Sequence, residues 1–182
     1  MKYALFASVA TLLAAGSAHA AIVTVGQGYA RDCYDAAAQE RSDLTALELC
    51  NSAIEEDFLT RQDRSATLIN RGIVFLYRGQ YAEALADFDA AIEASPDLAE
   101  GYTHRGVALL AYHDYRSAIE ALNRGLTLEP SEPAKVYFNR AIAHEELGDI
   151  PAAYRDYRRA AELAPEWRPA QRELARFRVT SR

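Results

Sequence analysis

Apolar side chains recur every three or four positions over Ala66–Arg78 and again over Tyr81–Ala94. That spacing lays one apolar stripe along a helix of 3.6 residues per turn, so two amphipathic helices are predicted. Gly79-Gln80 separates them, and Ser95-Pro96 closes the second. The pair then returns: Gly72 to Gly106, Ala84 to Ala118, Phe88 to Leu122 and Pro96 to Pro130 are each 34 residues. A third copy arrives one residue late, since Ala118 to Ala153 and Pro130 to Pro165 are each 35. The simplest place for the insertion is Ser131-Glu132-Pro133. The triplets Asn70-Arg71-Gly72, His104-Arg105-Gly106 and Asn139-Arg140-Ala141 mark the same phase. One such hairpin cannot bury its apolar stripes alone, so consecutive hairpins have to stack.

The pattern resembles the tetratricopeptide repeat over about Ser65 to Pro165. The residues carrying it are a small residue at the eighth position (Gly72, Gly106, Ala141) and alanine at the twentieth (Ala84, Ala118, Ala153). A large residue holds the twenty-fourth (Phe88, Leu122, Tyr157) and proline the thirty-second (Pro96, Pro130, Pro165). Two positions depart from it: Ala141 stands for glycine, and Gly125 for the alanine seen at Ala91 and Ala160. The resemblance implies an all-α, tetratricopeptide-type right-handed superhelix of stacked helical hairpins. Its repeats run over 65–98, 99–132 and 133–166. Ahead of them, Ala46, Cys50 and Ala53 repeat the spacing of Ala84, Phe88 and Ala91 at a distance of 38. This marks a degenerate capping hairpin over 31–64, with helices expected at Arg31–Glu40 and Asp43–Asp57 and a lengthened connection at Asp57–Ser65. A solvating helix, Trp167–Arg178, is expected within the tail, 167–182.

The N-terminus reads as an export signal over 1–20: Lys2, the apolar run Ala4–Ala15, and Ala18-His19-Ala20 with small residues at the cleavage positions. The run is too short to span a bilayer, which takes roughly 20 residues. No integral membrane segment is expected after cleavage, and the location is expected to be periplasmic or secreted. An extended segment, 21–30, then precedes the first hairpin. Export places Cys33 and Cys50 in an oxidising compartment. Each lies eight residues from the turn at Arg41-Ser42, level with the other across the hairpin, so a disulfide stapling 31–64 is expected, the alternative being two buried thiols. Ala36, Ala37, Ala38, Ala46 and Ala53 are small enough to let the helices approach.

Charge narrows the partners. The chain carries 26 acidic against 20 basic residues, and loss of Lys2 would make the net charge of -6 one unit more negative. A nucleic-acid partner needs a basic face, and none is expected. The charge is uneven: residues 31–64 hold 4 basic and 9 acidic groups, residues 155–182 hold 8 and 4.

Candidate chemistry is sparse. No phosphate loop, nucleophile elbow or paired-ligand motif occurs, so neither an enzyme, a metal site nor a cofactor is expected. His104 takes the slot of Asn70 and Asn139, which suits packing or hydrogen bonding. The ladder Arg71, Arg105, Arg140 could be a binding surface. However, Asp87 and Asp156 lie sixteen residues after Arg71 and Arg140. Structural ion pairs within each hairpin are therefore expected, with Ala121 beside Glu120 at that offset from Arg105.

By the resemblance, the first helices build a concave face from the second, fifth, ninth, twelfth and thirteenth positions of each repeat. The fifth, ninth, twelfth and thirteenth supply Ile69, Ile73, Leu76 and Tyr77, then Thr103, Val107, Leu110 and Ala111, then Phe138, Ile142, Glu145 and Glu146. Family members that clamp a peptide carboxylate use lysine and asparagine on this face, and these residues include neither. The expected groove is an apolar strip from Ile69 to Ile142 ending at Glu145-Glu146, unless residues 21–30 fold back over it. The resemblance implies a non-catalytic scaffold that binds a peptide or helix of another, envelope protein. The alternative is a self-assembling protein whose groove or oppositely charged ends pair with another copy.

Overall fold

The computed structural model describes residues 28–56 and 58–177, excluding the side chain of Glu56. The export signal over 1–20 and residues 21–27 lie outside the described residues. Within them the chain forms α1 (Tyr29–Ala38), α2 (Leu44–Glu56), α3 (Arg61–Tyr77), α4 (Tyr81–Ala94), α5 (Ala99–Ala111), α6 (Tyr115–Thr127), α7 (Pro133–Glu146), α8 (Ile150–Leu163) and α9 (Arg168–Leu174).

Local chemistry sets several helix boundaries. Asp114 and Asp149 cap α6 and α8 by accepting from the Ser117 and Ala152 amides at 3.2 and 3.1 Å. Asp43 does the same for α2 through Ala46. Thr60 accepts from the Asp63 amide at 3.1 Å while its hydroxyl donates to the Asp63 carboxylate at 2.7 Å. That cap starts α3 at Arg61, so the residues read as a long connection up to Ser65 instead add a turn of helix. Two further boundaries differ from expectation. Tyr29 and Ala30 already belong to α1, which shortens the extended segment placed over 21–30. The last helix stops at Leu174 instead of reaching Arg178.

Helices pair as α1 with α2, α3 with α4, α5 with α6 and α7 with α8. Each second helix also packs on the first helix of the next pair. The close approach within a pair depends on the eighth position. A Cβ on Gly72 would lie 2.5 Å from the Phe88 ring, and one on Gly106 2.6 Å from Leu122. In the first hairpin a disulfide holds the equivalent place, joining Cys33 to Cys50 with Cα atoms 4.6 Å apart. Ala36, Ala37, Ala46 and Ala53 are all buried around it, so little side-chain volume keeps α1 and α2 apart.

The first helices α1, α3, α5 and α7 touch one another in series. No comparable contact joins α2 to α4 or α4 to α6 among the described residues. The first helices are therefore the tighter, inner layer of a curved stack, and the second helices the outer one.

Candidate functional site: the inner layer

On α5 the inner face carries Glu100, Val107 and Ala111, and on α7 the matching places are Lys135, Ile142 and Glu146. Residues seven and eleven apart return to nearly the same side of a helix. The first five of these side chains are half-buried, and Glu146 is exposed. This part of the inner layer keeps some of its side-chain surface exposed.

The face is closed at both ends, which corrects the long apolar strip. Ile69, Ile73 and Leu76 are buried, with Ile69 and Ile73 only 0% and 2% exposed. They form one apolar cluster with Ala30, Cys33, Ala36 and Ala37, and Tyr34 and Tyr77 pack against it. Tyr77 is half-buried; burial, and then the Glu40 carboxylate beside it, hold its phenol above the usual range. Leu110 is buried in the apolar cluster formed by α5, α6 and α7. Thr103 faces α6 instead of the groove, since a Cβ on Gly125 would lie 2.8 Å from its hydroxyl oxygen.

At the other end, Phe138 is buried beneath edge-on contacts with Tyr157 and Trp167, centroids 5.4 and 4.9 Å away. Glu145 is no free acidic terminus. It accepts from the Tyr157 hydroxyl at 3.0 Å and from Arg176 at 2.6 Å, and Arg176 also contacts Glu173. Burial, then Glu145, raise the Tyr157 phenol. Of the twelve residues read as the groove, Val107, Ala111, Ile142 and Glu146 are left on the open face, with Val107 and Ile142 at its centre.

Glu100 and Lys135 belong to this face but are absent from the strip read from sequence. The signal was available, since both hold the second position of their units. Lys135 also brings a basic side chain to the face. It pairs with Glu132 at 2.7 Å, while Ser131 donates to Glu100 at 3.1 Å. The inserted segment thus borders the open face.

The arginine ladder lies on the opposite side of the first helices. Arg71 donates twice to Asp87, at 2.8 and 2.7 Å, and Arg140 twice to Asp156, at 2.7 and 2.8 Å. Each also reaches the preceding second helix, Arg71 to Asn51 and Arg140 to Asn123. Arg105 departs from the expected pairing within its own hairpin. It bonds Asp89 of α4 at 2.7 Å. These contacts tie neighbouring hairpins together and present no vacant guanidinium row. Among the described residues no group of three or more histidine, cysteine or carboxylate side chains could hold a metal ion.

Comparison with known proteins bears on this architecture. Family models described as TPR repeat and Tetratricopeptide repeat match residues 72–111 and 134–167. Tetratricopeptide repeat protein 13 of Homo sapiens is 33% identical over 116 residues, 61% of this chain and 13% of that protein. The Hsp70-Hsp90 organizing protein of Triticum aestivum is 36% identical over 98 residues, 54% of this chain and 15% of that one. The chain thus spans only a small fraction of these relatives. A solved structure, the first TPR of Spaghetti (RPAP3) bound to HSP90 peptide SRMEEVD, superposes with a TM-score of 0.60 at 25% identity. The match covers 63% of this chain and 90% of that one.

Proposed function

We propose that this stack of tetratricopeptide repeats is an exported, non-catalytic scaffold that holds a peptide or helix of an envelope protein on its inner layer. The observation that carries the reading is the half-open face of α5 and α7. Val107 and Ile142 offer an apolar seat there, bordered by Glu100, Lys135 and Glu146. The similarity to a repeat domain solved with a bound peptide supports the same mode. A ligand suited to this face has one or two apolar anchors flanked by charge, since exposed apolar surface of this kind favours burial by a partner. The N-terminal pattern of Lys2, Ala4–Ala15 and Ala18-His19-Ala20 supports export.

A photo-crosslinking residue at Val107 or Ile142, in intact cells, tests the site. Adducts to a defined protein are expected from both positions, and not from Glu93 or Glu120, which are exposed on the outer helices. Equal labelling from the outer positions, or none from the inner ones, would overturn the groove. An intact mass beginning at Ala21 is expected for the mature chain; retention of Met1–Ala20 would overturn export.

A further inference from the structure

The inner face of α5 and α7 carries different charge at its two ends. Along the axis of α7, Lys135 lies about 10 Å to one side of Ile142 and Glu146 about 6 Å to the other. At the first end charge is balanced. Lys135 pairs with Glu132 at 2.7 Å, and Glu100 accepts from Ser131 at 3.1 Å. At the second end it is not. Glu146 is exposed and has the Tyr115 hydroxyl beside it. Among the described residues no ion pair neutralises it.

Tyr77 on α3, Ala111 on α5 and Glu146 on α7 hold matching places in helices that touch in series. The small side chain of Ala111 leaves a notch between two longer ones. Glu40 lies beside Tyr77, so the notch has a carboxylate at each flank. The guanidinium groups of the adjacent turns are turned to other partners. Arg41 bonds Asp43, and Arg78 bonds Gln80 and the Ser42 carbonyl. Directly after Ala111 and Glu146 come Tyr112 and Leu147, 61% and 42% exposed. Along both helices the acidic place thus has apolar surface before it, at Val107 and Ile142, and after it.

We propose that the ligand of the inner layer is a basic amphipathic segment of another protein. Its apolar anchor sits on Val107 and Ile142, and a lysine or arginine beside that anchor enters the notch at Ala111, between Tyr77 and Glu146. The proposal rests on the inner layer being the binding face and adds the sign and direction of what binds there. The step of about 6 Å from Ile142 to Glu146 sets the spacing. It matches a cation four residues from the anchor in a helical ligand, or two in an extended one. Burial of the anchor supplies affinity, and the unneutralised carboxylates select the partner and its orientation.

Fluorescence anisotropy on the purified chain tests this with three labelled amphipathic peptides, each about 14 residues or roughly 21 Å long as a helix. All share the same leucine positions, and their polar positions are all lysine, all glutamine or all glutamate. In about 50 mM NaCl the lysine peptide is expected to bind at least about tenfold more tightly than the glutamate peptide. Glu146→Gln, which keeps the side-chain shape, should weaken the lysine peptide about fivefold, and Glu146→Lys at least about tenfold. Glu120→Lys makes the same change of charge at an exposed place on the outer helix α6 and should leave binding within about twofold. Val107→Ser with Ile142→Ser should weaken all three peptides, and unchanged thermal melts would show that each variant folds. Binding that depends on Val107 and Ile142 but favours glutamate would overturn the basic ligand and leave the inner-layer reading standing. Equal losses from Glu146→Lys and Glu120→Lys would overturn it as well. Binding indifferent to Val107 and Ile142, or no binding of any peptide, would overturn both.

Discussion

Arg105 on α5 donates to Asp89 on α4 at 2.7 Å, so its carboxylate comes from the hairpin before its own. Arg71 and Arg140 take theirs from Asp87 and Asp156 in their own hairpins. Each guanidinium lies between two second helices, one preceding and one following. The preceding helix offers Asn51, Asp89 or Asn123, and the following one Asp87, Ala121 or Asp156. Where the following helix has alanine, the preceding one has aspartate in place of asparagine. Each of these three arginines thus keeps one carboxylate.

The two arrangements differ in burial, and their energies should differ with it. The Asp87 side chain is 7% exposed and that of Asp89 59%. Asp87→Ala leaves Arg71 partly buried without its anion and should cost about 3 kcal/mol. Asp89→Ala should cost less than about 1 kcal/mol, because solvent screens the exposed pair. Urea unfolding measures both, and equal losses would contradict the assignment. Ala121→Asp added to Asp89→Asn should recover stability by moving the pair into the second unit.

Cys33 and Cys50 close a loop with a sequence separation of 17. On the chain-entropy estimate such a link stabilises by about 3 kcal/mol. Cys33→Ala with Cys50→Ala should lower the urea midpoint accordingly without a change in helix content at 25 °C. An unchanged midpoint would deny the bond a stabilising role.

His104 is buried against Phe88, with ring centroids 5.8 Å apart, and its imidazole is pushed down to about 4. Burial is the main cause; Glu100 pulls the other way and Lys135 adds to the fall. The folded state therefore binds this proton less readily than the unfolded chain, whose histidine titrates near 6.5. Its contribution to stability is full above about pH 6.5 and is lost as pH falls towards 4. Between pH 7.5 and 5 the loss should be about 2 kcal/mol. His104→Leu should remove that part of the pH dependence. Leucine is the better probe because Asn70, in the equivalent slot, is buried with neither amide atom partnered among the described residues. Parallel pH profiles for the two chains would refute the assignment.

His113 has a φ of 64°, where the equivalent turns have Gly79 at 74° and Gly148 at 78°. A side chain in this left-handed region costs free energy that glycine avoids. His113→Gly should raise stability by about 0.5 to 1 kcal/mol, even with loss of the exposed 2.7 Å bond to Tyr115. A lower melting temperature would mean that the Tyr115 contact outweighs the strain.

The period of 34 and the small residues at Gly72, Gly106 and Ala141 are legible in the chain because each describes a contact at a fixed offset within one hairpin. The offset of sixteen likewise points from Arg71 to Asp87 and from Arg140 to Asp156. The partner of Arg105 breaks the offset rule, since only stacking brings Asp89 of the preceding hairpin beside it. Which part of the inner layer stays open is also a tertiary matter. Ile69 and Ile73 have the spacing of groove residues, but α1 lies close enough to α3 to bury them. Phe138 and Glu145 fit the same pattern, and Trp167, Tyr157 and Arg176 occupy them. A repeat sequence states what each unit offers to its neighbours. What remains exposed depends on the non-repeating ends, whose contacts follow no period and are decided by how the last helices close over the stack.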